Sequence, residues 1–180
     1  MSVRTAQRLC LLLHHRWSVP VLAEIARTEG SKFVTLVNRL GVSRDSLRRT
    51  LDALIRTGWV RRNTGHGHPL RPEYILTRSG LKPARWSRHA MALLSRLNLQ
   101  DVALRKWSMP VALAIRHGRH RFCQIREFLP GLTARGLAIT LKELQSAGLL
   151  RRVVIDGFPP ATRYEFTDRG RKLLTVLDRA

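Results

Sequence analysis

The pentad Trp-Ser-x-Pro-Val is written twice in this chain, at residues 17–21 and 107–111, an offset of 90 in a chain of 180. Whatever fold one copy adopts must suit the other, so the duplication constrains the architecture more than any other feature. Further landmarks keep the order. LDALIRTGWVRR (51–62) falls opposite LKELQSAGLLRR (141–152), and PEYILTRSG (72–80) opposite TRYEFTDRG (162–170), both again at 90. Between them the offset is 89, so that Phe33, Leu36 and Leu40 answer Phe122, Ile125 and Leu129; Pro130 then restores the frame. A period this long exceeds that of solenoid repeats and indicates two copies of one small domain. The expected domains are 1–88, with an N-terminal helix, and 89–180, with a linking helix.

Within a copy the apolar spacing predicts three helices, a hairpin and a fourth helix. Ser18 and Ser108 are placed to cap the first helix, with Pro20 and Pro110 in its first turn, where a missing N–H costs little. The second helix runs from about Lys32 to Leu40, with Phe33, Leu36, Val37 and Leu40 at helical spacing. Gly41 ends it, Ser43 caps a third helix with Leu47, Leu51 and Leu54 on one face, and Gly58 closes that helix. Copy two repeats the plan with Pro130-Gly131, a Thr133 cap, Leu137, Leu141, Leu144 and Gly148. Two extended runs around a Gly/Pro-rich turn follow in each copy, and the alternation of Tyr74 with Leu76, and of Tyr164 with Phe166, predicts one buried strand face. Thr77 and Thr167 can then cap the closing helix. The fold class expected is mainly α with small β-hairpin wings: tandem winged helix-turn-helix domains forming an internal pseudo-dimer. The bridge between copies is predicted helical over 84–97, and its Trp86, Ala90, Leu93, Leu94 and Leu97 suit an interface.

Charge narrows the function. Thirty-three Lys and Arg against twelve Asp and Glu leave a net charge of +21, and only five of the basic residues are lysine. Residues 1–90 hold seventeen basic and five acidic side chains, and 91–180 hold sixteen and seven, so no basic tail accounts for the excess. A folded domain carrying such self-repulsion calls for a polyanionic partner. The LCLLL run at 9–13 is too short to span a membrane or to serve as a signal peptide, and the two cysteines, Cys10 and Cys123, form no C-x-x-C pair. No nucleophile elbow, phosphate-binding glycine loop, paired carboxylates or metal-ligand cluster occurs, so no enzymatic activity and no cofactor are expected. The chain reads as cytoplasmic and nucleoid-associated, with no membrane partner.

The order Trp-Ser helix, Phe-x-x-Leu helix, Ser/Thr-capped third helix ending in Gly, basic hairpin and Tyr-x-Leu/Phe-Thr-x-x-Gly resembles the HxlR-type branch of MarR-like transcriptional regulators. The resemblance covers roughly 15–85 and 105–178 and is most specific over 121–152 and 159–174. It implies a winged-helix regulator of double-stranded DNA. Family members usually carry one such domain and dimerise, whereas this chain carries two, which leaves a monomeric pseudo-dimer or a homodimer open. Some members sense electrophiles through a cysteine farther upstream of the first Trp than Cys10 lies. Here Cys10 sits between Leu9 and Leu11, a setting for a buried, inert thiol.

The first turns of a recognition helix enter the major groove, which singles out Ser43, Arg44, Arg48 and Arg49 in copy one, and Thr133, Arg135 and Lys142 in copy two. Copy two also presents Ala134, Ala138 and Ile139, with far less charge. That suits either reading of thymine methyls with fewer phosphate contacts or a module that has lost direct readout and is kept for packing; the two halves of a binding site should not be equivalent. Wing arginines reach phosphates or the minor groove, which adds Arg61, Arg62, His66, His68 and Arg71, and in copy two Arg151, Arg152 and Arg163. Lys32 and Arg121, at the starts of the second helices, complete the set. His66 and His68 share a face at x and x+2 but have no third ligand nearby to make a metal site, and Cys123 reads as packing beside Phe122. Two other functions fit the same residues: an RNA or ribonucleoprotein binder, and a protein-interaction scaffold using the more neutral third helix of copy two.

Overall fold

The structure is a computed structural model that describes residues 10–13, 15–63, 73–156 and 161–178. The chain divides into two compact units: residues His15–Leu93, and the residues from Leu94 onward together with the described N-terminal residues 10–13. His66, His68 and Arg71 lie outside the described residues.

In the first unit, α1 (Ser18–Thr28), α2 (Phe33–Leu40) and α3 (Arg44–Arg56) precede a hairpin of β2 (Val60–Asn63) and β3 (Glu73–Leu76). A two-residue strand, β1 (Ser31–Lys32), joins the far edge of β3, giving an antiparallel sheet in the order β1-β3-β2 with Ser31 opposite Tyr74 and Val60 opposite Leu76. A single 3-10 turn (Arg78–Gly80) leads into α4 (Leu81–Arg96), and the division between units falls within that helix. Val21, Leu22 and Ile25 of α1 are fully buried with Leu36 of α2 and Leu47, Leu51 and Leu54 of α3. Each such side chain contributes about 2 kcal/mol on removal from water, so one apolar face per helix is what fastens the three together. Trp86, Ala90 and Leu94 are also buried, while Leu93 and Leu97 are half-buried.

The second unit contains α5 (Gln100–Ala103), α6 (Ser108–Arg116), α7 (Phe122–Phe128) and α8 (Ala134–Ser146), then β4 (Leu150–Ile155) paired with β5 (Ala161–Phe166), and α9 (Asp168–Asp178). Its third helix, α8, begins and ends 90 residues after α3, with Leu137, Leu141 and Leu144 buried in place of Leu47, Leu51 and Leu54. Helix α6 packs on α7, α8 and α9. Among the described residues of this unit no strand matches β1, but the Tyr164 N–H donates to the His120 carbonyl (2.8 Å) at the corresponding place.

The Thr-x-x-Gly motif has the same physical cause in both units. Thr77 Oγ1 donates to the Gly58 carbonyl (2.5 Å) and Thr77 N to that of Trp59 (3.0 Å); Thr167 bonds Gly148 (2.6 Å) and Leu149 (3.1 Å) in the same way. Each threonine also accepts from the N–H of its glycine, Gly80 or Gly170. A Cβ on Gly80 would overlap the Trp59 carbonyl oxygen, and one on Gly170 that of Leu149, so only glycine lets the chain close against the end of the third helix.

Four local expectations are corrected. Ser18 and Ser108 are not caps but first helical residues: Trp17 and Trp107 supply the carbonyls that Val21 and Val111 bond, and both serines are buried. Cys123 is exposed rather than packed, because on α7 the buried residue is Ile125, and two residues along a helix carry a side chain to nearly the opposite side. Tyr74, Leu76, Tyr164 and Phe166 are half-buried, since a hairpin leaning on helix ends covers neither face fully. Thr77 caps a 3-10 turn before the closing helix proper.

Candidate nucleic-acid interface

The helix-turn-helix of the first unit is α2, the turn Gly41-Val42-Ser43, and α3. Gly41 turns the chain at φ 59°, a left-handed conformation that costs glycine little, and the buried Val42 pins the turn to the core. Ser43 Oγ accepts from Ser46 N (3.3 Å) and so caps α3. In the second unit Gly131 takes φ 90°, Leu132 is buried, and Thr133 Oγ1 accepts from Gly136 N (3.1 Å). Both third helices are thus capped, and both bury a leucine face.

Their outward faces differ. On α3 the exposed positions between Arg44 and Asp52 hold Arg44, Asp45, Arg48, Arg49 and Asp52; on α8 the matching exposed positions hold Ala134, Arg135, Ala138, Ile139 and Lys142. Asp45 engages its own helix, approaching Arg48 at 3.4 Å and receiving Arg49 Nε at its carbonyl (3.4 Å). That ion pair is long and solvated on both sides, so it holds Arg48 weakly and yields readily to a phosphate. Helix α8 has fewer charges but no acidic residue among its five outward positions, and half of Ile139 faces solvent.

The flanking cations divide the same way. Lys32 and Arg121 are exposed residues preceding α2 and α7, and the Arg121 N–H donates to Gln124 Oε1 (3.1 Å). Arg61 and Arg62 are exposed on β2, opposite Ile75 and Tyr74, with no acidic residue across the strand from either. In the second wing Arg151 stands opposite Glu165 and donates to it through Nε (3.1 Å) and Nη2 (2.8 Å), while Arg163 pairs with the same carboxylate. The Arg151 hydrogen bond, reinforced by the two positive charges, holds the Glu165 carboxyl below the usual carboxylate range. Arg152 donates to Thr162 Oγ1 (3.3 Å). The Glu165 clamp is what sequence reading missed; pairing the hairpin from its turn outward would have set Glu165 opposite Arg151.

Among the described residues no three His, Cys, Asp or Glu side chains gather as a metal site requires, and no helix is long and apolar enough to cross a membrane. Burial raises the thiol of the half-buried Cys10 above its ordinary value. His120 spends Nδ1 on the Tyr164 carbonyl (3.2 Å), and His117 stacks on Phe128.

The sequence matches the HxlR-like helix-turn-helix family twice, over residues 12–88 and 102–180. The chain belongs to that family. Its HxlR-like copies have relatives named as HTH-type transcriptional regulators. One, from Methanothermobacter thermautotrophicus, is 37% identical over 73 residues, 41% of this chain and 56% of the relative. Another, YtcD of Bacillus subtilis, is 32% identical over 73 residues, 41% of this chain and 58% of the relative. The chain therefore spans little more than half the length of either. Among solved structures, the reduced form of the transcriptional regulator YodB from B. subtilis is 26% identical with a TM-score of 0.40, over 51% of this chain and 81% of that one.

Proposed function

We propose that this HxlR-like protein is a transcriptional regulator that binds double-stranded DNA sequence-specifically, using two winged helices per chain, in domains 1–88 and 89–180, on an imperfectly palindromic site. The observation that carries the reading is the outward face of α3, where exposed Arg44, Arg48 and Arg49 stand on a Ser43-capped helix whose other face is core. Arginine forks match guanine O6/N7 and phosphate oxygens, and the capped helix end presents them first. Lys32, Arg61 and Arg62 then supply backbone contacts beside it. The names of the relatives point the same way, and no catalytic step enters the reading.

Titrating the full chain into a labelled duplex pool between 50 and 200 mM salt tests this. If six to ten phosphates are neutralised, affinity falls by roughly 10³–10⁵ across that range, and unlabelled duplex competes better than RNA of equal length. Flat affinity, or equal competition by RNA, contradicts the reading.

A further inference from the structure

We infer that copy two reads thymine methyl groups, so that one half of the DNA site is recognised through apolar contact where the other is recognised through arginine. The inference deepens the duplex-binding reading above and rests on it.

Helix α8 is not a worn copy of α3. It keeps the same length, the same capping bond, the same three buried leucines, and the buried threonine that bonds back one turn (Thr50 to Ser46 O, 2.8 Å; Thr140 to Gly136 O, 2.9 Å). The buried positions are kept, and the differences fall at exposed and half-buried ones. Arg44, Arg48 and Arg49 become Ala134, Ala138 and Ile139, and each of the three replacements is exposed. Ile139 is 50% exposed and lies off the buried leucine face of the helix.

Charge identifies what covers this patch. Arg135 and Lys142, one turn to either side of Ala138 and Ile139, stand where α3 has Asp45 and Asp52, so the two positions that are acidic on α3 are basic on α8. An apolar strip bracketed by exposed cations fits a surface that is methyl-lined between phosphate rails. The major groove offers that wherever thymine C5-methyls line up. The short Ala134 and Ala138 side chains let the helix approach closely, Ile139 fills the space against a methyl, and Arg135 and Lys142 meet the phosphates.

The test begins with duplexes selected from a random pool by the full chain. The expected consensus is unequal, with one part rich in thymine. Replacing thymidine by deoxyuridine in that part removes the methyl and nothing else, and is expected to weaken binding roughly fourfold per methyl in contact. Ile139→Gln, at an exposed position that leaves the core intact, is expected to abolish that penalty while leaving sensitivity in the other part unchanged. Duplex binding that ignores deoxyuridine in both parts, or an Ile139→Gln protein with the wild-type penalty, overturns the inference. So does a wild-type chain indifferent to deoxyuridine whose oligomeric state without DNA changes on Ile139→Gln, because the strip would then be a protein contact. Absence of salt-dependent duplex binding altogether would instead remove the functional reading beneath it.

Discussion

Glu165 sets how much of the second wing's charge is available. Arg151 and Arg163 both spend their forks on its carboxylate, whereas Arg61, at the matching place in the first wing, faces Ile75. A phosphate competing for Arg151 must displace a partner that stays ionised through the ordinary carboxylate range. Its pKa is lowered in the fold, so the stabilisation it gives the hairpin is complete above that range and is lost as pH falls through the lowered value. Glu165→Gln keeps the side-chain shape and removes the charge that holds both arginines. We predict tighter duplex binding by the variant and a salt slope steeper by about 0.9 for each arginine that gains a phosphate. Unchanged affinity and slope would mean that the second wing does not touch DNA.

The third helices are the elements on which the functional reading turns, and they were also the most legible. Ser or Thr at the cap, leucines at i, i+4 and i+7, and a closing glycine all point to one answer, and the structure gives α3 and α8 with matching ends. Features that depend on a neighbour's backbone were not legible. The strand β1 is two residues long and exists only because β3 offers an open edge; Ser18 looks like a cap until the preceding turn has placed Trp17 there instead. Exposure misled at Cys123, where an apolar neighbour in sequence stood for a neighbour in space. The outward residues of α3 and α8 followed from the buried leucines by helical geometry alone. For function this yields an ordered prediction. Arg48→Ala and Arg49→Ala each cost about 1–3 kcal/mol of duplex binding, while Arg135→Ala costs less and acts alike on all sequences. Anisotropy titrations of the three variants decide it, and equal, sequence-independent losses would show that α3 touches only phosphates.

At the scale of the whole molecule, duplication within one chain lets two readers diverge, which identical subunits of a homodimer cannot do. Outward arginines are concentrated on the third helix of the first copy and an apolar strip on that of the second, while the net charge of +21 is shared between them. In the proposed mode, tethering would make the second copy's encounter with DNA intramolecular, so that a weak half-site contact would still add to affinity. On the proposed function, one chain reads two unlike half-sites. Native mass spectrometry of the full chain on a selected duplex, paired with hydroxyl-radical footprinting of the same complex, measures it most directly. The expected result is one chain per duplex protecting two adjacent half-sites of unequal strength, their centres about one helical turn (~34 Å) apart. One chain protecting a single half-site would contradict it.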